Sequence, residues 1–489
     1  MAKRKKKNAI TMVSLLLLLV VLIGVYVWYS GREPKTDKPE DSNTISVAKI
    51  DSTKVKELHY VGKDYEMDFV LTDGVWKEKD DSERPIDQDN VSAIIALVSN
   101  INASKVVTDS TSDLASFGLD NPKPSVEVTL EDGSKVTLKV GGAVPTGEGY
   151  YALVNNDNKV YLVDNSYGSG LVYTQLSMTM VQKAPEIDPE KLNYLNIDMR
   201  DGQDVELLLN ARGAKDISGF DTYKWQFLKP YGDGYAADDT EVQKIQQNYA
   251  SFTYNGCVDY KGEDLAKYGL DKPMATITVG YYVEQASPTP TTPSTDLPIK
   301  RYKIYVGNKA EDDNYYIQVD GLKSVYLMDS SKVDAMLKVD TYTLVNKYAA
   351  LPNILKVDKA SVNIDGKSYE LDIKTTKTKD TNGDEKSTQT FKFNGKDADE
   401  TASRDLYKAL IGIMYDAPLK EKVDITNKKP ILSASFHVAE ENKTISVTLL
   451  PYNDSFDLID KGTGIYFLAD KRKIDLIIKA VNDFDASLK

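Results

Sequence analysis

The sequence LASFGLDNP at residues 114–122 occurs again as LAKYGLDKP at residues 265–273. Six of the nine positions are identical, and a seventh is aromatic in both copies. Glycine adopts a left-handed backbone without strain, and a proline shortly after it blocks continuation of a helix. The pattern therefore predicts a short helix that stops at its glycine, and it indicates an internal repeat whose recurring residues are architectural.

A tryptophan precedes each stretch, and the segment between tryptophan and stretch has the same pattern in both copies. Trp76 lies 38 residues before the first stretch, and Trp225 lies 40 residues before the second. In between, Asp89 and Asp239 are each followed by apolar residues at helical spacing, which predicts an amphipathic helix with an acidic N-cap. The signature residues of the repeat are therefore Trp76, Gly118, Leu119, Asp120, Pro122, Trp225, Gly269, Leu270, Asp271 and Pro273.

Downstream, both copies continue with a Val-Gly pair, a Tyr-Tyr pair and a Val-Tyr-Leu strand, a pattern typical of two hairpins. A third, weaker copy has Phe391 and Phe393 in place of the tryptophan strand and lacks the glycine stop. Strands outnumber helices and neighbouring strands are expected to be antiparallel, so the predicted fold class is α+β. It comprises an N-terminal single transmembrane helix followed by two to three repeated units of antiparallel sheet plus helix.

The first thirty residues predict a membrane anchor. Residues 3–7 are all basic, and residues 9–29 form a run of 21 without charge. Such a helix is roughly 31 Å long, enough to cross a bilayer core of about 30 Å. The basic block favours a cytoplasmic N-terminus. We therefore expect a single-pass protein of the cell membrane with an extracytoplasmic body; a cleaved signal peptide and a buried helix are the alternatives.

These features divide the chain into six segments. A cytoplasmic basic tail at 1–8 and the transmembrane helix at 9–29 lead into a polar linker at 30–44. Repeat units follow at 45–185 and 186–350, and a degenerate unit occupies 351–489. A Pro/Thr-rich insertion at 285–298 accounts for the greater length of the second unit.

Composition argues against several classes of partner and cofactor. The net charge is −13, and because residues 1–31 carry five basic and no acidic side chains, the remainder carries −18. An acidic body does not suit a nucleic-acid partner. Cys257 is the single cysteine, so no intrachain disulfide forms. His59 and His437 lie far apart in sequence, without zinc-ligand spacing. We expect no metal, cofactor or catalytic residue.

Two motifs resemble known sites only in part. Residues 232–237 fit the dinucleotide pattern G-x-G-x-x-A, but the surrounding strands are antiparallel, which favours a plain loop. Residues 380–385 resemble a calcium loop with its glycine misplaced, so a hairpin turn is expected and weak calcium binding is the alternative. A carboxylate pair for glycoside hydrolysis stays open, because the fold sets its spacing.

The tryptophan strands, the Gly-Leu-Asp-x-Pro stops and the paired strands resemble a bacterial family, the domain of unknown function 4340. The resemblance covers most of residues 45–350. It implies a membrane-anchored exported protein, often encoded beside ABC-type permeases and gliding-motility-like transport components. No catalytic residues are implied.

We therefore expect a non-enzymatic accessory or interaction component of an ABC-type transport or envelope system. Its expected partners are other membrane or envelope proteins, including an ABC-type permease. The alternative is a surface module that binds cell-wall glycan or another extracellular ligand, and a hydrolase is a third hypothesis.

Overall fold

The structure is a computed structural model that describes residues 44–63, 65–155, 157–209, 223–232, 234–283, 298–379, 385–419 and 421–488. The chain divides into two compact units between Thr179 and Met180. The first unit holds one antiparallel sheet and the second holds two, with helices packed against them. The α+β class predicted from the sequence is confirmed, with β-strands as the main component.

Sheet 1 belongs to the first unit and has nine strands in the order β1-β5-β9-β8-β7-β6-β2-β3-β4. Its strands are β1 (Ile45–Lys49), β2 (Val55–Val61), β3 (Glu66–Thr72), β4 (Val75–Glu78), β5 (Asn100–Thr108), β6 (Ser125–Leu130), β7 (Lys135–Ala143), β8 (Tyr150–Val154) and β9 (Val160–Val163). The helices of this unit are α1 (Gln88–Ser99), α2 (Asn165–Ser169) and α3 (Gln175–Met178).

Sheet 2 has eight strands in the order β12-β11-β10-β14-β15-β16-β17-β13. They are β10 (Leu192–Met199), β11 (Val205–Leu209), β12 (Trp225–Lys229), β13 (Gly256–Asp259), β14 (Ala275–Tyr282), β15 (Ile299–Lys309), β16 (Asn314–Val319) and β17 (Val325–Asp329). Its helices are α4 (Asp239–Ala250), α5 (Ser330–Leu337) and α6 (Thr341–Leu344).

Sheet 3 has nine strands in the order β21-β20-β19-β18-β23-β24-β25-β26-β22. They are β18 (Val357–Ile364), β19 (Lys367–Lys379), β20 (Glu385–Phe393), β21 (Lys396–Ala398), β22 (Ala417–Pro418), β23 (Leu432–Val438), β24 (Lys443–Pro451), β25 (Phe456–Asp460) and β26 (Tyr466–Asp470). Its helices are α7 (Glu400–Ile411) and α8 (Lys471–Ser487).

The three sheets share one topology once β1 and β21 are set aside. In each, a three-stranded meander is followed by a helix, and the next strand joins the opposite edge of the sheet. The last four strands then fill the space between that edge and the meander. The sequence similarity between the first two copies thus corresponds to a common fold, and sheet 3 has the same strand order without the glycine stop.

The main helix of each of the first two sheets begins close to the predicted residue. The N-caps are Asp87 and Asp238, whereas the predicted caps, Asp89 and Asp239, lie within the first turn. The Asp87 carboxylate accepts a hydrogen bond from Asn90 N at 3.0 Å. Capping of this kind stabilises a helix by about 1 kcal/mol.

The apolar stripe of α1 lies in the core of the first unit. Val91, Ile94 and Val98 are at most 1% exposed and pack in the same cluster as Leu58 and Phe69 of the sheet. Burying a side chain of this size contributes about 1.5–3 kcal/mol. In the second unit, one continuous core includes buried residues of both sheet 2 and sheet 3.

The predicted basic tail at 1–8, the predicted transmembrane helix at 9–29 and residues 30–43 of the predicted linker at 30–44 lie outside the described residues. So do residues 285–297 of the insertion, Asp233 of the dinucleotide-like motif, and residues 380–384 of the calcium-like loop. Among the helices that the structure does describe, none has the length and apolar character needed to cross a membrane.

Candidate functional site

The repeated stretch forms a short 3-10 helix that ends at a left-handed glycine in both copies. The helices are Ala115–Phe117 and Leu265–Tyr268, and the glycines that follow have φ values of +67° and +69°. In the first copy the Gly118 amide donates to Ala115 O, at 2.9 Å. Only glycine takes up this conformation at low cost, which explains why the stop recurs.

The leucine after each stop packs onto the face of the sheet opposite the main helix. Leu119 is 2% exposed and clusters with Leu153 and Val160. Along β8, Leu153 alternates with Ala152 and Val154, which belong to the core under α1. Since alternate residues of a strand point to opposite faces, the stop closes a second, smaller core. In the second copy, Leu270 forms the corresponding small cluster with Tyr268 and Val325.

Two further glycines, Gly141 and Gly307, make this packing possible. A Cβ atom on Gly141 would overlap the Phe117 carbonyl oxygen and lie 2.8 Å from Leu119 Cγ. A Cβ atom on Gly307 would overlap the Tyr268 carbonyl oxygen. The Val-Gly pair was visible in the sequence, but its role was not, because its contact is made by residues more than twenty positions away.

The tryptophans lie in the main cores, away from the glycine stops. Trp76 is 8% exposed and Trp225 is 6% exposed. The Trp76 amide donates to Gln88 Oε1 at 2.8 Å, and the Trp225 amide donates to Asp239 Oδ1 at 3.2 Å. Each tryptophan strand is thereby tied to the first turn of its helix.

The remaining signature residues lie at the turn into the next strand. Asp120 and Asp271 are exposed, and Pro122 and Pro273 are half-buried before β6 and β14. The structure therefore distributes the signature residues over a core, a smaller second core and a turn in each copy. It does not gather them into one pocket.

A polar cavity of about 280 Å³ is lined by residues of β2, β3, β6 and β7 of sheet 1. His59 Nδ1 lies 3.0 Å from Asp68 Oδ1, and Lys135 Nζ lies 2.5 Å from Glu127 Oε1. Lys79 also lines the cavity. Side chains of both signs could bind a polar ligand through hydrogen bonds. Over the described part of the chain, no three His, Cys, Asp or Glu side chains are placed to hold a metal ion.

The other histidine forms an ion pair on sheet 3. His437 Nδ1 lies 2.6 Å from Asp358 Oδ1, and His437 Nε2 lies 3.4 Å from Asn442 Oδ1. The hydrogen bond with Asp358, supported by Asn442, raises the pKa of His437 above its ordinary value of 6.5.

Replacing Asp358 by asparagine is expected to lower the pKa of His437. A raised pKa in the folded state means that the pair stabilises the fold below about pH 6.5 and that this contribution is lost as the pH rises through the folded-state pKa. An NMR titration of the His59→Gln variant, in which His437 is the single histidine, measures the shift directly. Asp365→Asn is the control, and an unchanged His437 titration in Asp358→Asn would contradict the assignment.

A second titratable group lies where sheets 2 and 3 meet inside the second unit. Lys461 Nζ donates to Gly234 O at 2.6 Å and lies 4.5 Å from the centre of the Tyr235 ring. The Tyr235 hydroxyl in turn lies 3.0 Å from Thr463 Oγ1. Desolvation by these neighbours lowers the pKa of Lys461 to about 7. No sequence motif pointed to Lys461, because the carbonyl oxygen and the ring next to its ammonium group belong to Gly234 and Tyr235, more than 220 positions away.

Comparison with known proteins places the chain in a family. The family model described as "Domain of unknown function (DUF4340)" matches residues 76–223 and 225–430. The matched segments start at the two signature tryptophans and together cover well over half of the chain. No curated protein and no solved structure matches this chain. The predicted family resemblance is thus confirmed, and the chain belongs to the DUF4340 family.

Proposed function

We propose that this protein is a non-enzymatic, single-pass membrane protein whose body lies outside the cytoplasm and contacts other envelope proteins. The observation that carries the proposal is that the signature residues of the repeat have structural roles. Trp76, Leu119 and Gly118 and their counterparts serve packing and backbone geometry, so what the copies have in common is a scaffold. A scaffold repeated along one chain suits an interaction role better than a single reaction centre.

The membrane anchor in this proposal rests on the sequence. The basic block at 3–7 and the uncharged run at 9–29 have the composition and length of an N-terminal signal-anchor. The partner we propose is an ABC-type export or assembly system, as the family resemblance implies.

Cysteine labelling tests the orientation, since Cys257 is buried and gives little background. We expect a membrane-impermeant maleimide to modify Ser46→Cys in intact cells, because Ser46 is exposed at the start of the body. Ala2→Cys should react only after the membrane is permeabilised, and the unmodified chain is the control for Cys257. Labelling of Ser46→Cys only after permeabilisation would refute an extracytoplasmic body.

Crosslinking in native membranes tests the partner. Val172 and Leu476 are 71% and 66% exposed, the two most exposed large apolar side chains of the described residues, and are suitable sites for a photo-crosslinking amino acid. We expect adducts with a permease or its associated membrane component, and Glu131 provides an exposed charged control site. Adducts with bulk cell-wall material alone, together with intact transport after gene deletion, would refute the proposal.

Glycan binding is the second candidate function. The polar cavity of sheet 1 favours it, because His59, Asp68 and Glu127 could bond to sugar hydroxyls. Burial of Trp76 and Trp225 counts against it, since neither ring is available to stack on a sugar face. Retention of the protein on cell-wall polymer, and its loss in His59→Ala, would support this candidate; no retention at low salt would eliminate it.

A further inference from the structure

An apolar groove of about 290 Å³ lies in the second unit, between α7 and the chain segment that enters sheet 3. One wall is residues 351–354, which connect α6 to β18. The other wall is formed by Arg404, Tyr407, Lys408 and Ile411, whose i, i+3, i+4, i+7 spacing places them on one face of α7.

Hydrogen bonds fix the position of the wall formed by residues 351–354. The Tyr407 hydroxyl donates to Pro352 O at 2.8 Å, and Gln389 Nε2 donates to Ile354 O at 3.0 Å. The backbone turns around Asn353, whose Oδ1 accepts from Leu355 N at 3.0 Å. A preformed groove binds a ligand without the free-energy cost of ordering a mobile surface.

The size and lining of the groove suit one bulky apolar side chain. Leu351, Ile354 and Ile411 are half-buried within it, and Leu355 beside it is 41% exposed. The volume lies at the lower limit of small-molecule sites, which span about 300–1,000 Å³. Exposed apolar surface rimmed by polar groups is typical of interaction sites.

The charged residues that line the groove are both cations, on a chain whose net charge is −13. Arg404 Nε lies 2.9 Å from Glu400, and Lys408 Nζ lies 3.0 Å from Asp405. Both pairs lie within one helix; the Lys408 pair is solvent-exposed, whereas the Arg404 side chain is 34% exposed and lies 5.7 Å from the centre of the Phe391 ring. Ion pairs of this kind on a helix surface are weak. A partner carboxylate can therefore replace or join them at little cost.

We infer that this groove is a docking site for a peptide segment of a partner protein that places one bulky apolar side chain between flanking acidic residues. The apolar side chain lies against Ile354 and Ile411, and the carboxylates pair with Arg404 and Lys408. This inference rests on the proposed function, which supplies the protein partner. Recognition of an apolar anchor with charged flanks is a common mode of peptide binding.

The test measures binding of a fluorescein-labelled peptide, Gly-Asp-Glu-Phe-Glu-Asp-Gly, to the purified full chain by fluorescence anisotropy. We expect binding that weakens with added salt and is about tenfold weaker in the double variant Arg404→Glu, Lys408→Glu, as expected for loss of close charge pairing. Peptides with alanine for the phenylalanine, or lysine for the acidic residues, should not bind.

The matched control is Lys244→Glu with Lys479→Glu. These exposed lysines also pair within their own helices, with Glu241 and Asp483, so the double variant changes the net charge equally but away from the groove. It should bind the peptide like the unmodified chain. If the first double variant unfolds, Arg404→Gln with Lys408→Gln replaces it.

Any of three results with the peptides overturns the inference. The peptide binds nowhere, it binds the groove variant as well as the control, or the alanine peptide binds as well as the phenylalanine peptide. A dimer in sedimentation that the groove variant converts to monomer also overturns it, because a second copy is then the occupant. Peptide binding without envelope crosslinks would refute the proposed function alone, whereas envelope crosslinks without groove-dependent peptide binding would refute this inference alone.

Discussion

The Gly141→Ala variant is expected to lose about 3 kcal/mol of unfolding free energy, a large cost for adding one methyl group. The new Cβ atom would overlap the Phe117 carbonyl oxygen and contact the Leu119 side chain, so either the glycine stop or β7 has to move. Urea unfolding followed by tryptophan fluorescence measures the loss. With Trp28 and Trp225 replaced by phenylalanine, the signal comes from Trp76 in the first unit.

Gly133→Ala is the control, because it also lies in the first unit but has open space around the Cβ position. Its φ of +82° predicts a cost of about 1–2 kcal/mol from backbone strain alone. Gly307→Ala, reported by Trp225, should behave like Gly141→Ala, since it meets the Tyr268 carbonyl oxygen. If Gly141→Ala were no less stable than Gly133→Ala, the close packing of stop against sheet would not exist.

The Phe467→Ala variant is expected to lose about 4 kcal/mol, the usual cost of emptying a buried phenylalanine site. Phe467 lies on β26 of sheet 3 and is 1% exposed. Its ring stacks on Tyr415 at 4.1 Å between ring centres, and lies 5.2 Å from Tyr231 and 6.0 Å from Tyr235. Since Tyr231 and Tyr235 follow β12 of sheet 2, the cluster joins the two sheets.

Urea unfolding of Phe467→Ala is followed by the fluorescence of a tryptophan on sheet 2. With Trp28 and Trp76 replaced by phenylalanine, Trp225 of sheet 2 reports an unfolding transition changed by a substitution in sheet 3. We expect one cooperative transition, shifted in Phe467→Ala and shifted less in Phe467→Leu, which keeps most of the volume. A Trp225 transition that does not move in Phe467→Ala would show that the sheets unfold independently.

The repeated glycine stop does more than end a short helix. Gly118 and Gly269 end a helix, as the sequence predicts, but the greater consequence is that they place Leu119 and Leu270 on the second face of each sheet. Sequence spacing could locate the stop because a left-handed glycine is a local property. It could not locate the partner surface, because that surface comes from strands formed later in the chain.

The candidate sites likewise combine contacts that local sequence patterns can suggest with contacts that they cannot. His59 and Asp68 face each other because β2 and β3 are adjacent strands of a meander, which short-range patterns can suggest. The docking groove needs residues 351–354 beside α7, and Lys461 needs Gly234. Neither contact follows from a motif, so the sequence contained no signal for either.

By itself, the sequence determined the repeat, the α+β class, the glycine stops and the amphipathic helices, because each rests on local backbone preference or on periodicity. Its motifs also carried the resemblance to the family whose model matches the chain. The tertiary structure decided the strand order shared by all three sheets, the need for glycine at Gly141 and Gly307, the burial of Trp76 and Trp225, and the existence of the groove. The physical reason is that these features are contacts between segments far apart in sequence, which form only when the sheets close and their faces are covered.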